Sequence, residues 1–76
     1  MQQVKAKLYS TKFCNLCEEA EKIIDQAGIT ATIIDIVEDE NLFQKYRIRI
    51  PVLQRIDNNA EIDWPFDTVT VLQFLA

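Results

Sequence analysis

Histidine is absent from this 76-residue chain. That absence removes imidazole general acid–base catalysis, Cys–His activation of a nucleophile and imidazole metal ligation together. Cysteine occurs twice, at Cys14 and Cys17, and glycine once, at Gly28. Two cysteines three positions apart are not the disulfide framework of a small secreted domain. No block of basic residues exists: eight Lys and Arg are scattered among twelve Asp and Glu, for a net charge of −4. This excludes nucleic-acid partners held by phosphate neutralisation. Long apolar runs are missing as well. The stretch after Met1-Gln2-Gln3-Val4-Lys5 ends at Ser10, far below the span of a membrane helix and without a signal-peptide hydrophobic region, so no membrane partner and a cytoplasmic location are expected.

What the chain does have is an ordinary folding composition, 49% hydrophobic and 26% charged, too apolar for disorder at this net charge. Its length is below the usual one-domain range, so one domain over residues 1–76 is expected. A chain this small buries only about 60% of its unfolded surface, which makes a surface groove the expected form of any site.

Residues Lys5 to Ser10 read as a short, mostly buried strand that ends at the polar turn Ser10-Thr11-Lys12. From Leu16 the apolar residues recur at Ala20, Ile23, Ile24 and Ala27. That spacing predicts a helix, with Gly28 as its left-handed stop and Glu18, Glu19 and Glu21 at the positive end of its dipole. Thr30 to Val37 is β-branched and predicts a second buried strand ending near Asp35. After Glu38-Asp39-Glu40, the residues Leu42, Phe43 and Tyr46 form one face of a two-turn helix. Val52 to Ile56 and Ala60 to Asp63 are strands joined by the turn Asp57-Asn58-Asn59. Trp64-Pro65-Phe66 interrupts the chain, and Asp67 caps a last helix with Val69, Leu72 and Leu75 or Phe74 inward. The order βαβαββα, with a right-handed parallel crossover first and a hairpin later, specifies an α/β fold. Its four-stranded mixed sheet carries helices on both faces.

The chemistry concentrates at Cys14-Asn15-Leu16-Cys17, where the first strand feeds the first helix. Unpaired N–H groups and the helix dipole favour an anion at Cys14, and Cys17 lies one turn further in, shielded by the core face. Cys14 is therefore the expected attacking thiol and Cys17 the resolving one, able to attack a mixed disulfide on its neighbour. A zinc site within one chain needs three or four ligands; two thiols without histidine favour redox chemistry over metal binding. Lys12, two residues ahead of Cys14, is placed to stabilise a thiolate or meet a substrate carboxylate, or to be solvated, whereas Glu18 and Glu19 act in the opposite sense on the thiols. Tyr9 and Trp64 read as packing residues.

Cys14-Asn15-Leu16-Cys17-Glu18-Glu19-Ala20 and Arg47-Ile48-Arg49-Ile50-Pro51-Val52-Leu53 give the chain a resemblance to the thioredoxin superfamily. It is most similar to glutaredoxins, in particular the short bacterial glutaredoxin-like proteins with Cys-x-Leu-Cys-Glu-x-Ala, and the similarity covers nearly the whole chain. The resemblance implies a thioredoxin-like fold and a cis Ile50–Pro51 bond facing the dithiol. It also implies an Ile50 backbone that binds substrate, and Asp67, alternatively a helix cap, at the amino group of glutathione. Asn15-Leu16 replaces the usual Pro-Tyr, and the usual Gly-Gly pair is missing before the last helix. Glutathione is therefore expected to bind weakly, with Arg47 or Arg49 as substitute cations or, equally, solvated.

The expectation is a monomeric thiol–disulfide oxidoreductase without cofactor or bound metal. Its catalytic residues are Cys14 and Cys17, and its substrate-binding residues are Lys12, Ile50, Pro51 and Asp67. It acts on a disulfide-containing protein or on glutathione disulfides and draws on an external reductant. Two alternatives stand beside it: a dimer whose paired thiolates hold zinc or an iron–sulfur cluster, and a non-catalytic interaction module on the same fold.

Overall fold

The computed structural model describes residues 5–76. Strand β1 spans Ala6–Ser10, helix α1 Asn15–Gln26, strand β2 Ala31–Asp35, helix α2 Glu40–Tyr46, strands β3 and β4 Val52–Arg55 and Glu61–Asp63, and helix α3 Thr68–Phe74. A single 3-10 turn, Ile36–Glu38, links β2 to α2. The sheet order is β2-β1-β3-β4. β1 and β2 run parallel, and the β1–β3 and β3–β4 pairs are antiparallel.

The pleat of β1 sorts the core into two layers. Ala6 and Leu8 face one side, where Ala20 and Ile24 of α1, Val71 and Leu75 at α3, Leu53 and Phe66 close around them. Tyr9 points to the other side and packs with Ile36, Tyr46 and Val52, its ring stacked on that of Tyr46 at 4.2 Å. Helices thus cover both faces, α1 and α3 on one and α2 on the other, as the period-2 strand and 3.6-period helix patterns require. Trp64 packs against the first layer and meets Phe66 edge to face.

Helix ends follow their sequence signals. Gly28, at φ 74, terminates α1. Asp39 Oδ1 accepts from the N–H groups of Asn41 and Leu42 at the start of α2, and Asp67 Oδ1 accepts from Thr70 N–H at 2.8 Å at the start of α3. The hairpin turn uses Asn59 at φ 60, with Asn58 accepting from Ala60 N–H.

Three expectations differ from the structure. β2 is an edge strand with Thr32 and Ile33 exposed, not a buried one, because β-branched composition reports fit to a pleated surface and not the number of neighbours. The inward residues of α3 are Val71 and Leu75, with Phe74 half-buried, while Val69 and Leu72 are exposed. On seven residues several i, i+3 pairings are available, and the interruption ahead of the helix, with Phe66 anchored in the core, selects the phase. Phe43 lies on the exposed side of α2, whose buried residue is Tyr46.

Candidate functional site

Sheet direction brings four chain segments to one end of the molecule. β1 and β2 both finish there, in the register Ser10 opposite Asp35. β3 begins there, with Val52 opposite Tyr9, and β4 ends there, with Asp63 opposite Val52. The dithiol, the Ile50–Pro51 pair and the Trp64–Asp67 segment are therefore neighbours by topology.

Cys14 is the N-cap of α1, with extended backbone at φ −113, ψ 107. Its sulfur accepts from Cys17 N–H at 3.2 Å, and its carbonyl accepts from Glu18 N–H at 3.1 Å. An N-cap side chain takes up donors that the first turn leaves unpaired, and an anionic acceptor there also gains from the helix dipole. Cys17, at the third helical position, faces inward and is only 1% exposed, whereas Cys14 is partly open; both thiols are free. Burial pushes the Cys17 thiol up, and its hydrogen bond with Cys14 adds to the rise; the Ser10 side chain and the Thr11 backbone oppose it. The arrangement is asymmetric. One sulfur is partly open and accepts a backbone N–H, and the other is buried beside it with its thiol pushed up.

Pro51 is buried, and the Ile50–Pro51 bond is cis. A second cis bond, Trp64–Pro65, has no counterpart in the expectations above; X–Pro bonds are the ones in which the cis form is accessible. Pro51 carbonyl accepts from Trp64 N–H at 3.2 Å, and Ile50 N–H donates to Tyr46 carbonyl at 3.0 Å. That second bond engages the Ile50 N–H inside the protein, so this donor is not free to pair with another strand.

Arg49 is not a spare cation. Its guanidinium holds Glu61 and Asp63, each at 2.8 Å. These bonds to both carboxylates raise its pKa beyond the ordinary guanidinium value. Glu61 also accepts from the Tyr46 hydroxyl and from Gln54 Nε2, and Gln54 in turn accepts from Tyr9. The segment ahead of Pro51 is thereby tied to β4 through a network that continues across β3 to β1. Arg47 follows α2 as an exposed cap residue. Asp67 serves as the cap of α3, and its bonds to Thr70 hold its carboxyl below the usual range. Lys12 is exposed on the turn between β1 and α1, beside a groove of about 480 Å³ that Phe13, Glu18, Ile33 and Asp35 also line. Among the described residues no three His, Cys, Asp or Glu side chains form a metal-ligand cluster.

Residues 5–76 match the model of the glutaredoxin-like domain family (DUF836). The chain belongs to the glutaredoxin-like domain family. Within solved structures, this glutaredoxin-like chain is similar to the protein XcR50 from X. campestris. The crystal structure of that protein is 32% identical over 92% of this chain and 93% of the other, with a TM-score of 0.84. The solution structure of XcR50 gives a TM-score of 0.76 over 92% and 90% of the two chains. Protein Ne2328 from Nitrosomonas europaea, at 23% identity over 100% of this chain and 95% of its own, shares the fold with a TM-score of 0.76. No curated protein matches. The four-stranded mixed sheet with three helices is the thioredoxin-like arrangement expected of a glutaredoxin-like domain. No helix among the described residues is long and apolar enough to cross a membrane.

Proposed function

We propose that this glutaredoxin-like domain performs thiol–disulfide exchange, with Cys14 attacking and Cys17 resolving. The observation that carries the reading is the Cys17 N–H aimed at Cys14 Sγ at 3.2 Å, on an N-cap sulfur open to approach. Cys14 thiolate attacks one sulfur of the substrate disulfide, a Cys14–substrate bond forms, and the first substrate thiolate departs and takes a proton. Cys17 then attacks the Cys14 sulfur. The protein disulfide closes, the second substrate thiol leaves with the Cys17 proton, and two electrons have passed from the dithiol to the substrate. An external thiol reductant restores the dithiol, which suits a reducing compartment such as the cytoplasm.

The Ile50 carbonyl beside Pro51 supplies the strand-like contact for the substrate backbone. Lys12 offers a charge to a substrate carboxylate. Glutathione fits poorly: Asp67 spends Oδ1 on Thr70, and Arg49 is committed to Glu61 and Asp63. A disulfide-bearing protein is therefore the preferred substrate class.

Mass spectrometry tests the reading. Mild oxidation of the reduced protein should remove two hydrogens, as two protons and two electrons, and reduction should restore them, while Cys17→Ser should accumulate a mixed disulfide on Cys14. A wild-type mass unchanged by oxidant would refute it.

A further inference from the structure

Phe13, the residue immediately before Cys14, combines two features that folding alone does not favour. The residue is 101% exposed, and its backbone is left-handed at φ 59. A residue with a Cβ is strained in that region, and Phe has no short polar side chain to compensate as Asn or Asp does. A fully exposed aromatic ring gains nothing from burial. Residues held in unfavourable backbone regions cluster at ligand contacts, where the surroundings fix them for a task other than stability.

Phe13 borders the groove of about 480 Å³, together with Ile33, Lys12, Glu18, Glu21 and Asp35. Ile33 is 47% exposed on β2, and β2 is an edge of the sheet. The groove therefore lies beside the turn that leads into Cys14 and extends toward an open strand edge, with β2 on the opposite side of β1 from β3. Its surface has an apolar part, Phe13 and Ile33, and a rim of three carboxylates against one ammonium. Asp35 also caps the following 3-10 turn by accepting from Val37 N–H.

We infer that Phe13 and this groove dock the chain segment flanking the disulfide of a protein substrate, an extended stretch with an apolar side chain next to a basic one. The inference rests on the exchange reaction proposed above and adds the chemistry of the segment that flanks the substrate disulfide. The apolar side chain covers the Phe13 ring and Ile33, the basic one meets Glu18 and Glu21, and the scissile disulfide lies over Cys14, the residue after Phe13. Contact energy at such surfaces concentrates in aromatic anchors, and rim charges add discrimination between partners.

The test uses fully reduced protein as the sole reductant, so each turnover consumes one dithiol and converts one disulfide to two thiols. Its substrates are a short cystine peptide with Leu and Arg beside one half-cystine, the same peptide with Glu for Arg, and bis(2-hydroxyethyl) disulfide. The wild type should prefer the Arg peptide to the Glu peptide severalfold, and added salt should shrink that preference. Phe13→Asn tolerates the left-handed backbone and removes the ring. It should lower the ratio of the Arg-peptide rate to the small-disulfide rate about tenfold, with a melting temperature no lower than wild type; Phe13→Tyr should restore the ratio. Glu21→Gln should erase part of the preference for Arg. A ratio within twofold of wild type in Phe13→Asn, or equal wild-type rates on both peptides, overturns the inference while leaving disulfide exchange intact. A wild-type dimer that Phe13→Asn converts to monomer in sedimentation assigns the groove to a second copy and overturns it too. Failure of the wild type with every disulfide refutes the exchange reaction itself.

Discussion

Glu61→Ala is the most informative single change, because Glu61 is the junction of the network that holds the Pro51 segment. Its carboxylate accepts from Tyr46 hydroxyl, from Arg49 Nη2 at 2.8 Å and from Gln54 Nε2 at 3.3 Å. Truncation strips Tyr46, 1% exposed, of its hydrogen-bond acceptor, and a buried donor left unpaired costs about 1–3 kcal/mol. Arg49 keeps Asp63, so its share of the loss is small, on the order of 0–1 kcal/mol. The sum, about 1–4 kcal/mol, is a sizeable part of the roughly 4–11 kcal/mol available to a domain of this size. A fall in melting temperature of roughly 4–30 °C follows.

Urea unfolding, followed by far-ultraviolet circular dichroism and by the fluorescence of Trp64, measures this loss. Tyr46→Phe removes the stranded hydroxyl, so the double variant should be little worse than Glu61→Ala alone, with a coupling of about 1 kcal/mol or more. Additivity within about 0.5 kcal/mol would refute the network. The pH dependence has a fixed sign. Burial pulls the Glu61 carboxyl upward, but Tyr46 and Arg49 outweigh it and hold the group below its ordinary value. Its contribution is fully present above the unfolded value near ~4.3 and is lost as pH falls through the lower folded value. The gap between wild type and Glu61→Ala should accordingly be level at neutral pH and close in acid.

Iodoacetamide at neutral pH should label Cys14 at least about tenfold faster than Cys17, read by peptide mapping, because Cys17 is buried and its thiol is pushed up by that burial. For the same reason, closure of the Cys14–Cys17 bond from a preformed mixed disulfide should still accelerate as pH rises beyond the ordinary thiol value near ~8.5, and a plateau below pH 7 would contradict the burial argument. Gly28→Ala meets no atom within 4 Å but must adopt φ 74, so it should destabilise by about 1 kcal/mol in urea unfolding through backbone strain alone. Asp67→Ala should lower the melting temperature by about 5 °C through loss of the α3 cap, while Asp67→Asn retains most of it.

Local signals were legible in the residues, and tertiary choices were not. Gly28, Asp67 and Asn59 each announce a backbone event whose cause is intrinsic to that residue, and each stands where that event occurs. The Cys-x-x-Cys pair at a strand-to-helix junction announces its own placement, because the strand and helix periods on either side can be read. By contrast, the phase of α3 depends on where Phe66 anchors the preceding loop, and the exposure of β2 depends on which strand has no outer neighbour. Arg49 reads as a solvent-facing cation until β4 is folded back beside the segment leading to Pro51, since Glu61 and Asp63 lie 12 and 14 positions away. The left-handed state of Phe13 leaves no mark in residue type; an aromatic at that position argues for the ordinary right-handed or extended regions.

The asymmetry between the two thiols follows from helix geometry acting on that junction. An N-cap residue has left the strand but not entered the helix, so Cys14 can stay open while its sulfur takes a first-turn N–H. Three residues on, the helix has turned about 300° and brought Cys17 onto the buried stripe that continues through Ala20 and Ile24. That stripe lies over the face of β1 defined by Ala6 and Leu8, and the same alternation puts Ser10 on that face, the one buried polar side chain among the described residues. α1 runs back along β1, so its first buried residue meets the last inward residue of the strand. Cys17 therefore comes to rest by Ser10, whose side chain works against the rise that burial imposes on the thiol. A cysteine one position earlier would take the exposed place of Leu16, and one position later that of Glu18. Only the spacing of three leaves one sulfur open and the other sheltered within reach of it.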